Sequence, residues 1–345
     1  MEVKLIKKLD GFELNMEFKT AGRRLGILGE SGSGKSMTMK MIAGLEDPDE
    51  GRVELNGRKL YDSEDRTCLR PQQRRTGYLF QSYALFPNMT VAENIAAGIK
   101  DASAKDRTVK EMVSLFHLEG LEERFPSQLS GGQKQRTALA RLFASSPEAI
   151  LLDEPFSALD AHLKDVMQED LLEILADYEG DVIMVSHDRD DIYKFCDEMI
   201  VIDGGRVIAA GKTADIFKNP GSAKAASLTG CKNISHAERR SDRSIYASDW
   251  GVILETACDV PGDITHVGIR AHDIVPVWDD TDRANSIPFD LKGTARLPFE
   301  THYYIRVLQG QVCWFIQRNL EKEIREKGDP SRLYLPAEKL LLMGD

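Results

Sequence analysis

The stretch Gly29-Glu30-Ser31-Gly32-Ser33-Gly34-Lys35-Ser36 fits the spacing G-x-x-x-x-G-K-[S/T], and the rest of the 345-residue chain is organised around it. Leu25-Gly-Ile-Leu28 before it is a short apolar run suited to a buried strand, and Met37 to Leu45 after it carries apolar residues at helical spacing. A strand, a glycine-rich loop and a helix in that order make a phosphate cradle. The glycines let backbone N–H groups close around a polyphosphate, and the helix N-terminus adds a dipole that favours anions. Lys35 then reaches the β- and γ-phosphates and Ser36 places a hydroxyl on Mg²⁺. Residues 29–36, with Met37 opening the helix, are the candidate nucleotide-binding residues. Met37, Met39 and Met41 as a group otherwise read as core filling.

The length predicts two domains, each with its own core. A net charge of −11 and a pI near 5.3 argue against a general nucleic-acid surface. Cys68, Cys196, Cys231, Cys258 and Cys313 are scattered and lack C-x-x-C spacing, so neither a disulfide framework nor a zinc site is expected. No apolar run is long enough to span a bilayer, and MEVKLIKKLDGF lacks a signal-peptide core, so a protein of the cytosol is expected.

Along the chain, residues 1–20 alternate as two strands around Asp10-Gly11, with Phe12 either core or a platform for an adenine ring. Tyr78-Leu-Phe-Gln81 is a short strand ending on an amide, where a phosphate-binding protein needs a metal ligand or a water-positioning group. Residues 91–145 read as mostly helical. Within them Leu129-Ser130-Gly131-Gly132-Gln133 opens a helix whose bare N–H groups form a second anion-receptive element. Ala149-Ile-Leu-Leu152 is a buried strand delivering Asp153-Glu154, and carboxylates so placed are costly unless they meet a cation or activate water. Ser157-Ala-Leu-Asp160 leads into a helix, and the apolar strand Asp181–Ser186 ends on His187-Asp188. Open α/β sheets bind ligands at such strand ends.

Taken in order, the loop 29–36, Gln81, Leu129–Gln133, Asp153-Glu154, Asp160 and His187 closely resemble the signatures of the ATP-binding-cassette ATPases over about residues 1–230, and Ser130–Arg141 resembles the importer type. The resemblance implies an α/β fold: a P-loop cassette domain with a RecA-like core and a helical subdomain, using ATP and Mg²⁺. It makes Glu154 the group that polarises the attacking water, with Asp153, Ser36 and Gln81 on the Mg²⁺ and His187 on the γ-phosphate. Ser130, Gly131, Gly132, Gln133 and Asp160 would meet the ATP of the other subunit of a homodimer. Tyr83–Met89 reads either as core or as a surface receiving a permease helix.

Residues 231–345 change character. Val252–Leu254, Val267–Pro276 and a hairpin of Tyr303–Leu308 with Val312–Gln317 suggest short antiparallel strands, with the hydrophilic stretch Ala237–Asp249 as a solvated loop. This part resembles the small all-β, OB-like regulatory domain appended to importer ATPases. Thr229–Ile234 and Gly268–Asp273 resemble that domain in molybdate importers, which implies molybdate or tungstate as cargo and an oxyanion in the C-terminal domain. Membrane permease subunits, an extracytoplasmic oxyanion-binding protein acting indirectly, and a peripheral place on the cytoplasmic face of the membrane follow from the same resemblance. Sulfate, a polyamine, iron or a sugar are the rival cargoes, and a soluble cassette working on nucleic acid or ribosomes is the rival of another class.

Overall fold

Alternation sets the first layer. In β1 (Glu2–Leu9) and β2 (Phe12–Lys19) every second residue, Val3 and Leu5, then Leu14, Met16 and Phe18, is buried, while the side chains between them face outward. The antiparallel register pairs Val3 with Phe18 and Leu5 with Met16, which sets both apolar rows on one face. These strands open a computed structural model that describes residues 1–20, 23–99, 101–157, 159–278, 284–317, 321, 324 and 326–344. The chain divides into two units, Met1–Ala214 and Asp215–Asp345.

In the first unit the chain continues through β3 (Arg24–Gly29), α1 (Lys35–Ala43), β4 (Glu50–Leu55), β5 (Arg58–Asp62), β6 (Thr67–Cys68), α2 (Pro71–Arg74) and β7 (Thr76–Leu79). The helices α3 (Val91–Ala96), α4 (Lys105–Leu115) and α5 (Gly131–Ala144) follow and pack on one another. Then come β8 (Ala149–Asp153), α6 (Ala161–Ala176), β9 (Asp181–Ser186), α7 (Arg189–Phe195), β10 (Glu198–Asp203) and β11 (Arg206–Lys212). All eleven strands share one sheet in the order β6-β5-β4-β1-β2-β11-β10-β3-β9-β8-β7.

The run β10-β3-β9-β8-β7 is parallel throughout. Leu25, Ile27, Leu28, Ile150, Leu151 and Leu152 are buried, as central parallel strands covered on both faces must be. This arrangement lines up the ends of β3, β9, β8 and β7, so Gly29, Ser186, Asp153 and Leu79 finish side by side on one edge. Loops from neighbouring parallel strands converge there.

The helix α8 (Thr213–Lys218) lies at the division between the units, which falls after Ala214 rather than at residue 230. The next helix, α9 (Ala223–Leu228), buries Ala226 with Cys231, Leu341 and Met343 in a small cluster of its own, and so belongs to the second unit. The second unit is β-rich, with strands β12 (Asn233–Ser241), β13 (Ser244–Ala247), β14 (Val252–Glu255), β15 (Ile264–Ile269), β16 (Val275–Val277), β17 (Ser286–Pro288), β18 (Asp290–Arg296), β19 (Glu300–Arg306), β20 (Gln311–Gln317), β21 (Arg332–Tyr334) and β22 (Leu341–Gly344). They form three small sheets, β14-β13-β12-β15-β22, β16-β21-β17 and β18-β19-β20, around a core that includes Trp250, Leu254, Val267, Ile305, Trp314 and Leu333.

The stretch Ala237–Asp249 is not a solvated loop. It contains most of a hairpin in which Ala237 pairs with Ala247 and Arg239 with Ile245. Ala237, Ile245 and Ala247 are buried, and the charged residues between them occupy the outer face. The polar face hid the period-2 pattern of the buried one.

Candidate functional site

The phosphate loop leaves β3 at Gly29 and enters α1 at Lys35, with Gly32 and Gly34 at positive φ of 84° and 101°. At Gly34 only glycine fits, because a Cβ there would lie 2.3 Å from Leu14 Cδ1 in a backbone region L side chains avoid. Lys35 Nζ folds back to donate to the carbonyls of Gly29 and Glu30, both at 2.8 Å. Burial pulls the Lys35 pKa down, against the opposing pull of Glu154, Asp153 and Glu30. Ser33 Oγ is buried and has no hydrogen-bond partner. A ring of backbone N–H groups, an ammonium and an unsatisfied hydroxyl suit a polyphosphate. Met37 sits in the first turn of α1 and packs partly on the core, while Met39 and Met41 are fully buried.

The neighbouring strand ends supply the acids. Asp153, the last residue of β8, accepts from Ser36 Oγ through Oδ1 at 2.8 Å and from Tyr78 Oη through Oδ2 at 2.8 Å. Burial and the adjacent Asp153 carboxylate hold the Tyr78 hydroxyl protonated far above its ordinary range. Among the described residues no group of three His, Cys, Asp or Glu could hold a metal by itself. The Ser36 and Asp153 pair instead suits Mg²⁺, which takes one or two protein oxygens and completes its shell with phosphate oxygens and water. ATP with Mg²⁺ therefore fits the residues present.

Glu154 follows at φ 49°, a left-handed backbone rare outside glycine, and its N–H is bonded to the Val185 carbonyl at 3.0 Å. Such strain is typical of functional turns. It aims the carboxylate so that Oε1 lies 3.2 Å from His187 Nδ1, at the end of β9. Gln81, just past β7, donates to Ser157 Oγ at 3.4 Å, and Ser157 Oγ in turn donates to the Glu154 carbonyl at 3.0 Å. The structure thus gathers residues 29–36, Gln81, Asp153, Glu154 and His187 at one edge of the sheet.

Ser130 and Asp160 belong to helix starts instead. Ser130 Oγ accepts from Gln133 N at 3.3 Å while Gln133 Oε1 accepts from Ser130 N at 2.9 Å, a reciprocal cap on α5. Gly131 opens onto empty space, since a Cβ there would meet nothing within 4 Å. Asp160 Oδ1 caps α6 by accepting from Leu163 N at 3.0 Å. Phe12 packs partly on the core and also stands 3.5 Å from where a Gly34 Cβ would be, so it neighbours the phosphate loop.

Sequence reasoning missed Tyr78 and Lys164. Lys164 Nζ sits 2.5 Å from Asp188 Oδ2 and 2.8 Å from Asp191 Oδ1, directly behind His187. Neither residue has a spacing motif: Tyr78 meets Asp153 only when β7 pairs with β8, and Lys164 meets its carboxylates only when α6 packs beside the start of α7.

Comparison with known proteins agrees with this geometry. The profile of the ABC transporter family matches residues 13–157. The sulfate/thiosulfate import ATP-binding protein CysA 2 of Chromobacterium violaceum is 40% identical over 258 residues, 73% of this chain and 68% of that protein. The CysA protein of Synechococcus elongatus is 35% identical over 295 residues, 84% of this chain and 80% of that protein. That of Thermosynechococcus vestitus is 42% identical over 266 residues, 74% and 76% of the two chains. Among solved structures, the dimeric post-hydrolysis state of the ATP-binding cassette MJ0796 bound to ADP and Pi superposes with a TM-score of 0.52 at 28% identity, covering 61% of this chain and 98% of that one. With relatives matched over most of their length and the nucleotide site assembled at the sheet edge, the chain belongs to the ABC transporter family, as an ATPase subunit of the importer class.

Proposed function

We propose that this ATPase energises import of a tetrahedral oxyanion of the sulfate, thiosulfate and molybdate class through separate membrane permease subunits. The observation that carries the reading is the match to the Synechococcus elongatus protein: covering 84% of this chain, it is longer than the first unit and runs on into the second. The names of the relatives favour sulfate and thiosulfate. Molybdate rests on the likeness of Thr229–Ile234 and Gly268–Asp273 to molybdate importers. ATPase assays of the chain assembled with its permease and its binding protein decide it. Stimulation by a sulfate-, thiosulfate- or molybdate-loaded binding protein supports the reading, and stimulation only by a sugar- or polyamine-loaded one refutes it.

In this reading ATP and Mg²⁺ supply the phosphoryl group and its charge compensation, and the chain supplies placement. Residues 29–35 hold the phosphates, Ser36 and Asp153 face the metal, and Gln81 senses metal and water. Glu154 takes the proton of the attacking water, and His187, held by the Glu154 carboxylate, faces the γ-phosphate. The α5 start, exposed at Ser130 and Gly131, and the Asp160 turn face the nucleotide of a second copy. Hydrolysis then depends on dimer assembly, because part of each site comes from the partner copy.

Among the described residues no helix is long and apolar enough to cross a membrane. A peripheral place on the cytoplasmic face follows from permease docking. A cleft of about 790 Å³ has an apolar floor of Met89, Ala92, Ala96 and Val109 and a rim that includes Glu93 and Lys105, and in this reading it receives a permease helix.

For the second unit we propose domain-level regulation or dimer contact, because the residues expected to meet an anion are engaged in internal hydrogen bonds. Arg270 spends its guanidinium on the Thr229 and Phe217 carbonyls, and Asn233 exchanges hydrogen bonds with the Cys313 backbone. His272 is held by Glu300. An ATPase rate that falls with added molybdate, tungstate or sulfate in the full complex would support a sensor role, and a flat response would leave dimer contact.

A further inference from the structure

Lys164 joins the two loops that the proposed function assigns to different subunits' nucleotides. Its backbone N–H donates to the Asp160 carbonyl at 2.8 Å, one turn into α6. Its ammonium reaches across to Asp188 Oδ2 at 2.5 Å and Asp191 Oδ1 at 2.8 Å. Asp188 directly follows His187 and caps α7 by accepting from Asp190 N at 3.0 Å. Its own N–H donates to Ser186 Oγ at 2.9 Å, and Ser186 Oγ donates to Asp191 Oδ2 at 3.0 Å. Gln168, one turn farther along α6, closes the cluster by donating to Asp191 Oδ1 at 2.7 Å and accepting from Lys194 at 2.9 Å. Ser186, Asp191 and Gln168 are 2%, 3% and 8% exposed, while the Lys164 and Asp188 side chains are 25% and 35% exposed, so the network runs from a buried floor to a half-buried ion pair. Networks of that kind favour one geometry, because a shift of Lys164 would leave the buried Asp191 carboxylate without its cation.

We infer that Lys164 is a positioning residue that locks the His187 loop to the Asp160 turn, so that seating of Asp160 against a second subunit fixes His187 for hydrolysis. The inference rests on the reading of Asp160 as a contact to the partner copy. Two rigid links carry it: one backbone hydrogen bond from Lys164 to Asp160, and one ion pair from Lys164 to the residue beside His187. Burial opposes the charge on Lys164, yet its two carboxylate partners hold its pKa above the ordinary lysine value; burial pushes the Asp191 carboxyl up, while at Asp188 burial is outweighed by the Lys164 ammonium and the Asp190 N–H, which hold it down.

The test is a double-mutant cycle in the full-length chain with Asp188→Asn, Lys164→Met, the double variant and Lys164→Arg. Asparagine retains the α7 cap and Lys164 keeps Asp191, so Asp188→Asn removes only the ionic link to the residue beside His187, with little effect on folding. Its kcat is expected to fall about tenfold while KM for ATP stays within about twofold, the pattern of a lost transition-state interaction. Lys164→Met should lose a similar factor, the double variant no more than either single one, and Lys164→Arg should recover most of the rate. An unchanged kcat in Asp188→Asn, or losses that multiply in the double variant, would overturn the inference. So would equal losses of kcat, ATP binding and thermal stability that arginine does not rescue. Nucleotide-dependent dimerisation of the Glu154→Gln chain is followed in parallel: its absence removes the two-subunit reading itself, whereas dimerisation alongside an unchanged Asp188→Asn rate removes only the lock.

Discussion

The Ser36 hydroxyl donates to Asp153 Oδ1 at 2.8 Å and so joins the phosphate loop to the acidic end of β8. The two residues meet because β3 and β8 flank β9 in the parallel half of the sheet, with all three strands ending on the same edge. Replacing Asp153 by Asn keeps the shape and removes the charge that balances a divalent cation. The Mg²⁺ concentration for half-maximal ATPase activity should rise by about tenfold or more, as expected for loss of the single acidic side chain on the metal. An unchanged Mg²⁺ titration would contradict the placement.

Lys35→Ala should act on binding instead of turnover. In the structure the ammonium is buried and satisfied by the Gly29 and Glu30 carbonyls, so it is already poised over the loop. Loss of one charge-assisted bond to phosphate predicts a Kd for ATP raised by about tenfold to a hundredfold. Equilibrium binding of a fluorescent ATP analogue measures it, and an unaltered Kd would refute the cradle.

A structural prediction concerns Arg74, which is completely buried. Its guanidinium donates to the Met41 and Ile42 carbonyls at 2.7 and 2.9 Å and to the Leu69 carbonyl at 2.8 Å, closing the C-terminal end of α1. The Met41 carbonyl also accepts from the Gly44 N–H at 3.2 Å, but Arg74→Met takes a buried donor from all three carbonyls at once. The expected cost is about 2–4 kcal/mol of unfolding free energy, measured by urea denaturation with unchanged m-value.

The cassette was legible in the sequence because its motifs are local: the loop 29–36, the pair Asp153-Glu154 and the strand ending on His187 each sit within a few residues. Their burial and strand ends then follow from unbroken apolar runs. What escaped was either masked or non-local. The strands β12 and β13 present charged residues outward and bury only small or single apolar ones, so composition read as a loop. Tyr78 bonds Asp153 and Lys164 bonds Asp188 across strands and helices far apart in the chain, and no spacing rule records such meetings.

Acid should loosen the second unit through Glu300. Hydrogen bonds from His272 and His302 to its carboxylate hold its pKa below the usual glutamate range. A depressed folded-state pKa contributes stability that is fully present above the unfolded value, near 4.3, and is lost as pH falls through the folded value. Glu300→Gln should therefore lower the Tm at neutral pH by about 2–4 °C, with the difference shrinking as pH falls below the glutamate range. A Tm difference that persists in acid would assign the effect to packing, in which the ring of His302 stacks on Phe315 at 3.6 Å.

Glu154, strained at φ 49° and placed 3.2 Å from His187, is positioned to activate the water that cleaves ATP. Glu154→Gln keeps size and hydrogen-bonding while removing the base. Single-turnover hydrolysis of ATP by the purified variant, run beside ATP binding and size-exclusion chromatography, is the direct measurement. The account predicts wild-type ATP affinity, a hydrolysis rate reduced by about a hundredfold or more, and a nucleotide-bound dimer that persists, in line with the size of general-base effects. Hydrolysis at the wild-type rate by this variant would contradict it.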